Sequence, residues 1–163
     1  MKLQVSMDKI SVLFVCLGNI CRSPAAEAIF LKIIQDQEIQ DKFFVDSAGT
    51  GSWHVGKKAD ERMRLAAKKR NINIQSTARQ IKSDDFDKFN FILTMDNSNY
   101  INVLKLKNSE SSSDISKVIK LQEYALNFRE KEVPDPYFGG DEGFNYVLDI
   151  LEDSVNGFLK SIL

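Results

Sequence analysis

Cys16 and Arg22 lie six positions apart in the stretch VCLGNICRSP (residues 15–24), which also holds the only other cysteine, Cys21. A thiol and a guanidinium on one short loop can act as a nucleophile beside a fork that grips two oxygens of an anion. Gly18 and Asn19 are residue types that tolerate left-handed backbone, so the loop is expected to curl with its N–H groups turned inward. Ser23 suits the N-cap of a helix and Pro24 its first position. An inward ring of N–H groups above a helix N-terminus is a phosphate cradle, and the expected binding residues are Leu17, Gly18, Asn19, Ile20, Cys21, Arg22 and Ser23. Cys16 at its base would feel the helix dipole, the amides and Arg22 together, all of which favour the thiolate. A thiolate below a bound phosphate is aimed at phosphorus.

Such an attack must expel an oxygen that needs a proton. Asp135, between Pro134 and Pro136, is the candidate acid, because the two prolines restrict the backbone and hold the carboxyl in one direction. The expected reaction has two steps. Cys16 attacks while Asp135 protonates the leaving oxygen, and water activated by Asp135 then hydrolyses the phosphocysteine. Arg22 and the loop amides stabilise the equatorial oxygens, and Ser23 hydrogen-bonds the sulfur. Trp53 and Tyr137 would wall a flat phosphoaryl ring, while Leu17 and Ile20 supply an apolar rim. Oxidation could join Cys16 to Cys21 instead of driving Cys16 to irreversible acids. The single histidine, His54, reads as a solvated loop residue.

These residues must be positioned by the elements around them. Four short apolar runs read as buried strands: 11–15 (SVLFV), 43–46 (FFVD), 91–95 (FILTM) and 118–121 (VIKL). Helical patterns fall between and after them at 24–35, with Ala25, Ala28, Ile29 and Ile33 on one face, and at 60–70, 97–107 and 142–163. Residues 108–114 (NSESSSD) read as a polar surface loop. The alternation predicts an α/β fold in three layers: a twisted four-stranded parallel sheet, helices on both faces, and the phosphate-binding loop after the first strand. Open sheets of this kind bind ligands beyond the carboxyl ends of their strands.

At 163 residues and 43% hydrophobic content one domain over 1–163 is expected, with 1–9 as a flexible extension. The formal charge of −1, from 22 basic and 23 acidic residues, offers no general attraction for nucleic acid or anionic membrane. No apolar run is long enough to span a bilayer, and neither a secretory signal nor a disulfide framework is evident. A cytoplasmic protein without metal or cofactor, working as a monomer or weak dimer, is the expectation.

The motif CLGNICRSP followed by AAEAIF closely resembles the signature of the low-molecular-weight protein tyrosine phosphatases. The likeness continues through DSAGTGSWHVG (46–56), ARQI (78–81), MDNSN (95–99) and VPDPYFGG (133–140), over nearly the whole chain. The resemblance implies a metal-independent hydrolase acting on phosphotyrosine proteins, with phosphate, vanadate or sulfate as active-site anions, and reversible control by peroxide. It also implies that Asp135 is the general acid and that Ser47 supports the amide of Asn19. Relatives that hydrolyse phosphoarginine tend to carry threonine at the Ile20 position, which makes an arginine phosphatase the alternative. An arsenate reductase on this fold would relay through cysteines outside the loop, and this chain has none. Three positions depart from the family pattern: Ser76 stands where a histidine is common, Phe138 where a second tyrosine is, and Ala59 where a proline is.

Overall fold

A computed structural model of the chain describes residues 9–163; the first eight residues of the expected N-terminal extension lie outside the described residues. Four parallel strands, β1 (Ile10–Cys16), β2 (Phe43–Gly49), β3 (Phe91–Thr94) and β4 (Lys117–Lys120), form one sheet in the order β2-β1-β3-β4. Strand β1 is therefore central, with β2 on one side and β3 on the other. The chain leaves β1 toward one edge and later returns on the opposite side, so the carboxyl end of β1 is the point where the winding reverses. The Cys16 loop begins there.

The period of two along β1 decides which way each side chain faces. Val12, Phe14 and Cys16 point into a cluster beneath the helices α1 (Arg22–Asp36), α2 (Glu61–Lys68) and α5 (Asp141–Ile162). Leu13 and Val15 point the other way, onto Phe86, Phe89 and Val103, which belong to a one-turn helix α3 (Asp85–Lys88), the turn after it, and α4 (Asn97–Glu110). The sheet is thus covered on both faces, as the alternation predicts. Phe30 of α1 anchors the larger cluster, its ring edge-on to Phe43 at 5.2 Å and tilted against Phe158 at 6.0 Å. Truncating so large a buried ring costs about 3–5 kcal/mol. Along α5 the helically spaced Phe144, Val147, Leu148, Leu151, Val155, Phe158 and Leu159 are all buried.

Several boundaries differ from the sequence reading for identifiable reasons. Strand β2 runs three residues past Asp46, because Ser47, Ala48 and Gly49 continue the pairing with β1 although their types suggest a turn. A side chain at Gly49 would place its Cβ 2.7 Å from the Leu17 carbonyl oxygen, so the close approach of strand and loop requires glycine. In α1 the expected Ala25, Ala28 and Ile29 are buried, joined by Phe30 and Ile34, while Ile33 is only partly covered. Helix α4 takes in 108–110 of the stretch read as a loop. The helix read over 60–70 ends at Lys68, with Asp60 as its N-cap accepting from the Arg62 N–H at 2.9 Å. Among the described residues no helix is long and apolar enough to cross a membrane.

Candidate active site

Residues 17–21 form a tight irregular loop anchored by carbonyls in it and just before it. Those of Cys16, Leu17 and Ile20 accept from the N–H groups of Thr50, Gly51 and Asp60 at 2.9, 2.9 and 2.7 Å. The N–H groups of 17–21 find no protein acceptor among the described residues. Three carbonyls held by neighbouring segments and five consecutive N–H groups left over are the ingredients of an anion nest. Of the two residues expected in left-handed backbone only Asn19 adopts it, with φ 57°. At Gly18 a Cβ would lie 2.9 Å from His54 Cδ2, so glycine lets the imidazole rest against the loop. His54 accordingly packs on the loop and lines the pocket, where the sequence reading leaves it solvated.

The helix after the loop starts earlier than its Ser-Pro signal implies. Helix α1 begins at Arg22 with Cys21 as N-cap and no side-chain cap. The Ser23 hydroxyl is occupied elsewhere, 3.0 Å from Cys16 Sγ and 2.8 Å from Asn19 Nδ2. That nitrogen also donates to Ser47 Oγ at 3.0 Å, and Asn19 Oδ1 accepts from the Arg79 N–H at 3.0 Å. The expected Asn19–Ser47 partnership is therefore present, and both residues are buried.

Arg22 is 2% exposed and gripped from behind. Its Nη1 donates to Asp96 Oδ2 at 2.7 Å and to the Val133 carbonyl at 3.0 Å, and its Nη2 lies 3.6 Å from Asp135 Oδ2. Burial disfavours the guanidinium charge, but the Cys16 sulfur and the Asp96 and Asp135 carboxylates outweigh it and hold Arg22 more firmly protonated than usual. The other Asp96 oxygen caps α4 through the Asn99 N–H at 2.7 Å. Asp135 is fixed in its turn by the Tyr137 N–H, which donates to Oδ1 at 3.0 Å.

Above the loop, Cys16, Arg22 and Asp135 face one cavity of about 220 Å³, walled by Leu17, Ile20, Trp53 and Tyr137 with Phe138 at its mouth. Trp53 and Phe138 are 69% and 94% exposed, and a ring laid over the cavity would cover them. Arg62 holds the Tyr137 side of the wall: it donates to the Tyr137 carbonyl at 2.8 Å, sits over the Tyr137 ring, and pairs with Asp60 at 3.0 Å. Among the described residues no three His, Cys, Asp or Glu side chains are grouped to hold a metal ion.

The model of the low molecular weight phosphotyrosine protein phosphatase family matches residues 11–163. The chain belongs to that family. It is 44% identical to the low molecular weight phosphotyrosine protein phosphatase of Schizosaccharomyces pombe over 94% of this chain and 97% of that one. Among solved structures it is similar to the protein tyrosine phosphatase from Entamoeba histolytica with Hepes in the active site (TM-score 0.86, 42% identity, 94% and 97% covered). It is also similar to DARP, the drosophila arginine phosphatase (TM-score 0.88, 36% identity, 93% and 96% covered).

The family's cradle is surrounded here by residues that the sequence did not single out: Asp96 and Arg62, which reach Arg22 and Tyr137 across 74 and 75 residues, and Glu27. Glu27 lies on α1 behind the loop, where it accepts from the Ser47 hydroxyl and faces Ser76. Burial first, and Asp46 second, push its carboxyl up to about 7, against the opposing pull of Ser47, Ser76 and Arg79. A carboxyl raised on folding is no burden below its unfolded value and an increasing one as pH climbs toward its folded value. Wild-type thermal stability, measured against Glu27→Gln, is therefore expected to fall from about pH 4.5 to about pH 7 and then level, by on the order of 3 kcal/mol in total. Parallel melting curves of the two proteins at a series of pH values check this.

Proposed function

We propose that the chain is a metal-independent protein tyrosine phosphatase that works through a phosphocysteine. One observation carries the reading: a sulfur, a buried guanidinium and a carboxyl on a proline-flanked turn line a single cavity, beside a loop whose N–H groups have no acceptor among the described residues. In the first step the Cys16 thiolate forms the S–P bond as the P–O bond to the leaving group breaks. Asp135 gives that oxygen its proton. In the second step Asp135 takes a proton from water, the water oxygen bonds to phosphorus, and the S–P bond breaks with Ser23 hydrogen-bonded to the departing sulfur. Arg22 and the N–H groups of 17–22 hold the three equatorial oxygens in both steps. The scheme calls on no metal or cofactor, so chelators should leave p-nitrophenyl phosphate hydrolysis unchanged and vanadate should inhibit it.

Asp135→Asn keeps the turn and removes the acid. It is expected to lower kcat by about a hundredfold for a phenyl phosphate of high leaving-group pKa and by less for p-nitrophenyl phosphate, with KM nearly unchanged. A loss independent of the leaving group would assign the proton to another residue.

An apolar rim from Leu17 and Ile20 and the aromatic walls Trp53 and Tyr137 suit the ring of phosphotyrosine on a protein substrate. Similarity to the drosophila arginine phosphatase favours phosphoarginine as the second reading. Turnover of matched phosphotyrosine, phosphoarginine and phosphoserine peptides separates them, and the first should be preferred by kcat/KM. Every group in the scheme comes from one chain, so one copy suffices, and a reducing cytoplasm suits a nucleophile that must stay a free thiol.

Cys21 bears on redox control. Burial above all, with the Asp60, Cys16 and Asp135 charges, pushes its thiol far up, against the pull of Arg62, so it rests protonated and harmless beside the nucleophile. Peroxide converts Cys16 to a sulfenic acid, and Cys21 then displaces water to leave a disulfide. Dithiothreitol should restore activity to the peroxide-treated wild type and fail to do so for Cys21→Ser.

A further inference from the structure

Five side chains behind the cradle form an unbroken series from Glu27 to Cys16, and counting hydrogens fixes its direction. The Asn19 amide is oriented by the Arg79 N–H, which donates to Oδ1, so the nitrogen Nδ2 faces both serines. Its two hydrogens are used on Ser47 Oγ and Ser23 Oγ. Ser47 therefore accepts from Asn19 and has one hydrogen left, which goes to Glu27 Oε1. Ser23 likewise accepts from Asn19, and its one hydrogen goes to Cys16 Sγ at 3.0 Å in preference to the Ala48 carbonyl at 3.4 Å.

We propose that Glu27 is a positioning residue for the reaction: as terminal acceptor of this one-way chain through Ser47, Asn19 and Ser23, it commits the Ser23 hydroxyl proton to the Cys16 sulfur. Without an acceptor at Glu27, Ser47 is free to turn its hydrogen toward Asn19, the amide loses one of its two anchors, and the proton on Ser23 is no longer directed. The proposal rests on the phosphatase reading and adds to it a group outside the cavity that touches neither substrate nor sulfur.

The chain also makes the site sensitive to pH. Glu27 faces Asp46 of β2, Arg79 of the segment before α3, and the hydroxyls of Ser47 and Ser76. Arg79 is itself shared between Asp46 and Asp85, at 3.0 Å from each, and so offers Glu27 only part of its charge. When Glu27 is protonated, Oε1 still accepts from Ser47 and the back of the cradle is neutral. When it ionises, a negative charge stands behind a site that must bind a phosphate and stabilise a thiolate. The neutral acid is the working form, and turnover falls as pH rises through the Glu27 titration.

The test is the kcat profile for p-nitrophenyl phosphate from about pH 5.5 to about pH 8.5. Glu27→Gln keeps an acceptor and can never ionise, so the ratio of its kcat to that of the wild type should rise by about three- to tenfold across this range. Glu27→Ala removes the acceptor and should lower kcat by about tenfold at every pH with KM little changed. Ser47→Ala cuts the chain and leaves the carboxyl in place; it should lower kcat similarly at every pH, while the ratio of the Ser47→Ala/Glu27→Gln double variant to Ser47→Ala should still rise with pH, because the Glu27 charge acts through space. An active wild type with a flat ratio, or a folded Glu27→Ala or Ser47→Ala with kcat within about twofold of wild type, overturns this proposal alone. A wild type without Cys16-dependent turnover overturns both it and the phosphatase reading.

Discussion

Cys16→Ser is expected to lower kcat for p-nitrophenyl phosphate by on the order of ten-thousandfold or more while the folded protein still binds vanadate or phosphate. The reason lies in how the site divides its work. In the proposed scheme the loop N–H groups, Arg22 and the start of α1 bind the anion without help from the sulfur, so binding should survive the change. A serine oxygen in the same place remains a neutral hydroxyl at the pH of the assay, and no general base reaches it: its neighbour Ser23 has a single proton to donate, already directed at the nucleophile. Rapid quenching should trap a phosphorylated wild-type protein and none in the variant. Residual turnover above about a hundredth of wild type would move the nucleophile elsewhere.

How legible this arrangement is from the chain alone depends on how far each signal must reach. Strand β1, the loop and the opening of α1 are adjacent in sequence, and each carries a local marker: an apolar run, glycine and asparagine, serine and proline. The order of elements and the cradle follow from these. Markers that serve two purposes mislead. Ser23 is a good cap by type, yet its hydroxyl sits against a sulfur seven residues back and α1 starts a residue before it. The small residues 47–49 look like a turn, but smallness is what lets β2 lie against the loop. Ionic partners leave no local trace at all. Asp96 is legible as an N-cap from its Asn99 capping box, whereas its bond to Arg22 spans 74 residues. Glu27 is one acid on an amphipathic helix until β2 folds over it and brings Ser47 and Asp46.

Arg22→Lys is the second large effect, and the bonds behind the guanidinium are what make it so. Arginine here bonds Asp96 and the Val133 carbonyl on one side, with Asp135 approaching to 3.6 Å, and in the proposed scheme the same planar group also grips the substrate oxygens. An ammonium at the same depth is a point donor and cannot span both. If it stays with Asp96 the phosphate loses a bidentate grip; if it reaches for the phosphate, Asp96 and Val133 are left with unpaired acceptors in a buried place. Losing two charge-assisted hydrogen bonds costs about 3–4 kcal/mol, or roughly a few hundred- to thousandfold in kcat/KM at ~1.4 kcal/mol per tenfold. Because equatorial oxygens carry the growing charge of the transition state, most of that loss should fall on kcat, with a smaller weakening of phosphate binding. A melting temperature lowered in the same variant would report the abandoned Asp96. A variant that keeps kcat/KM within tenfold of wild type would mean that the loop amides alone stabilise the transferring phosphoryl group, and that Arg22 is held in place for the sake of α4.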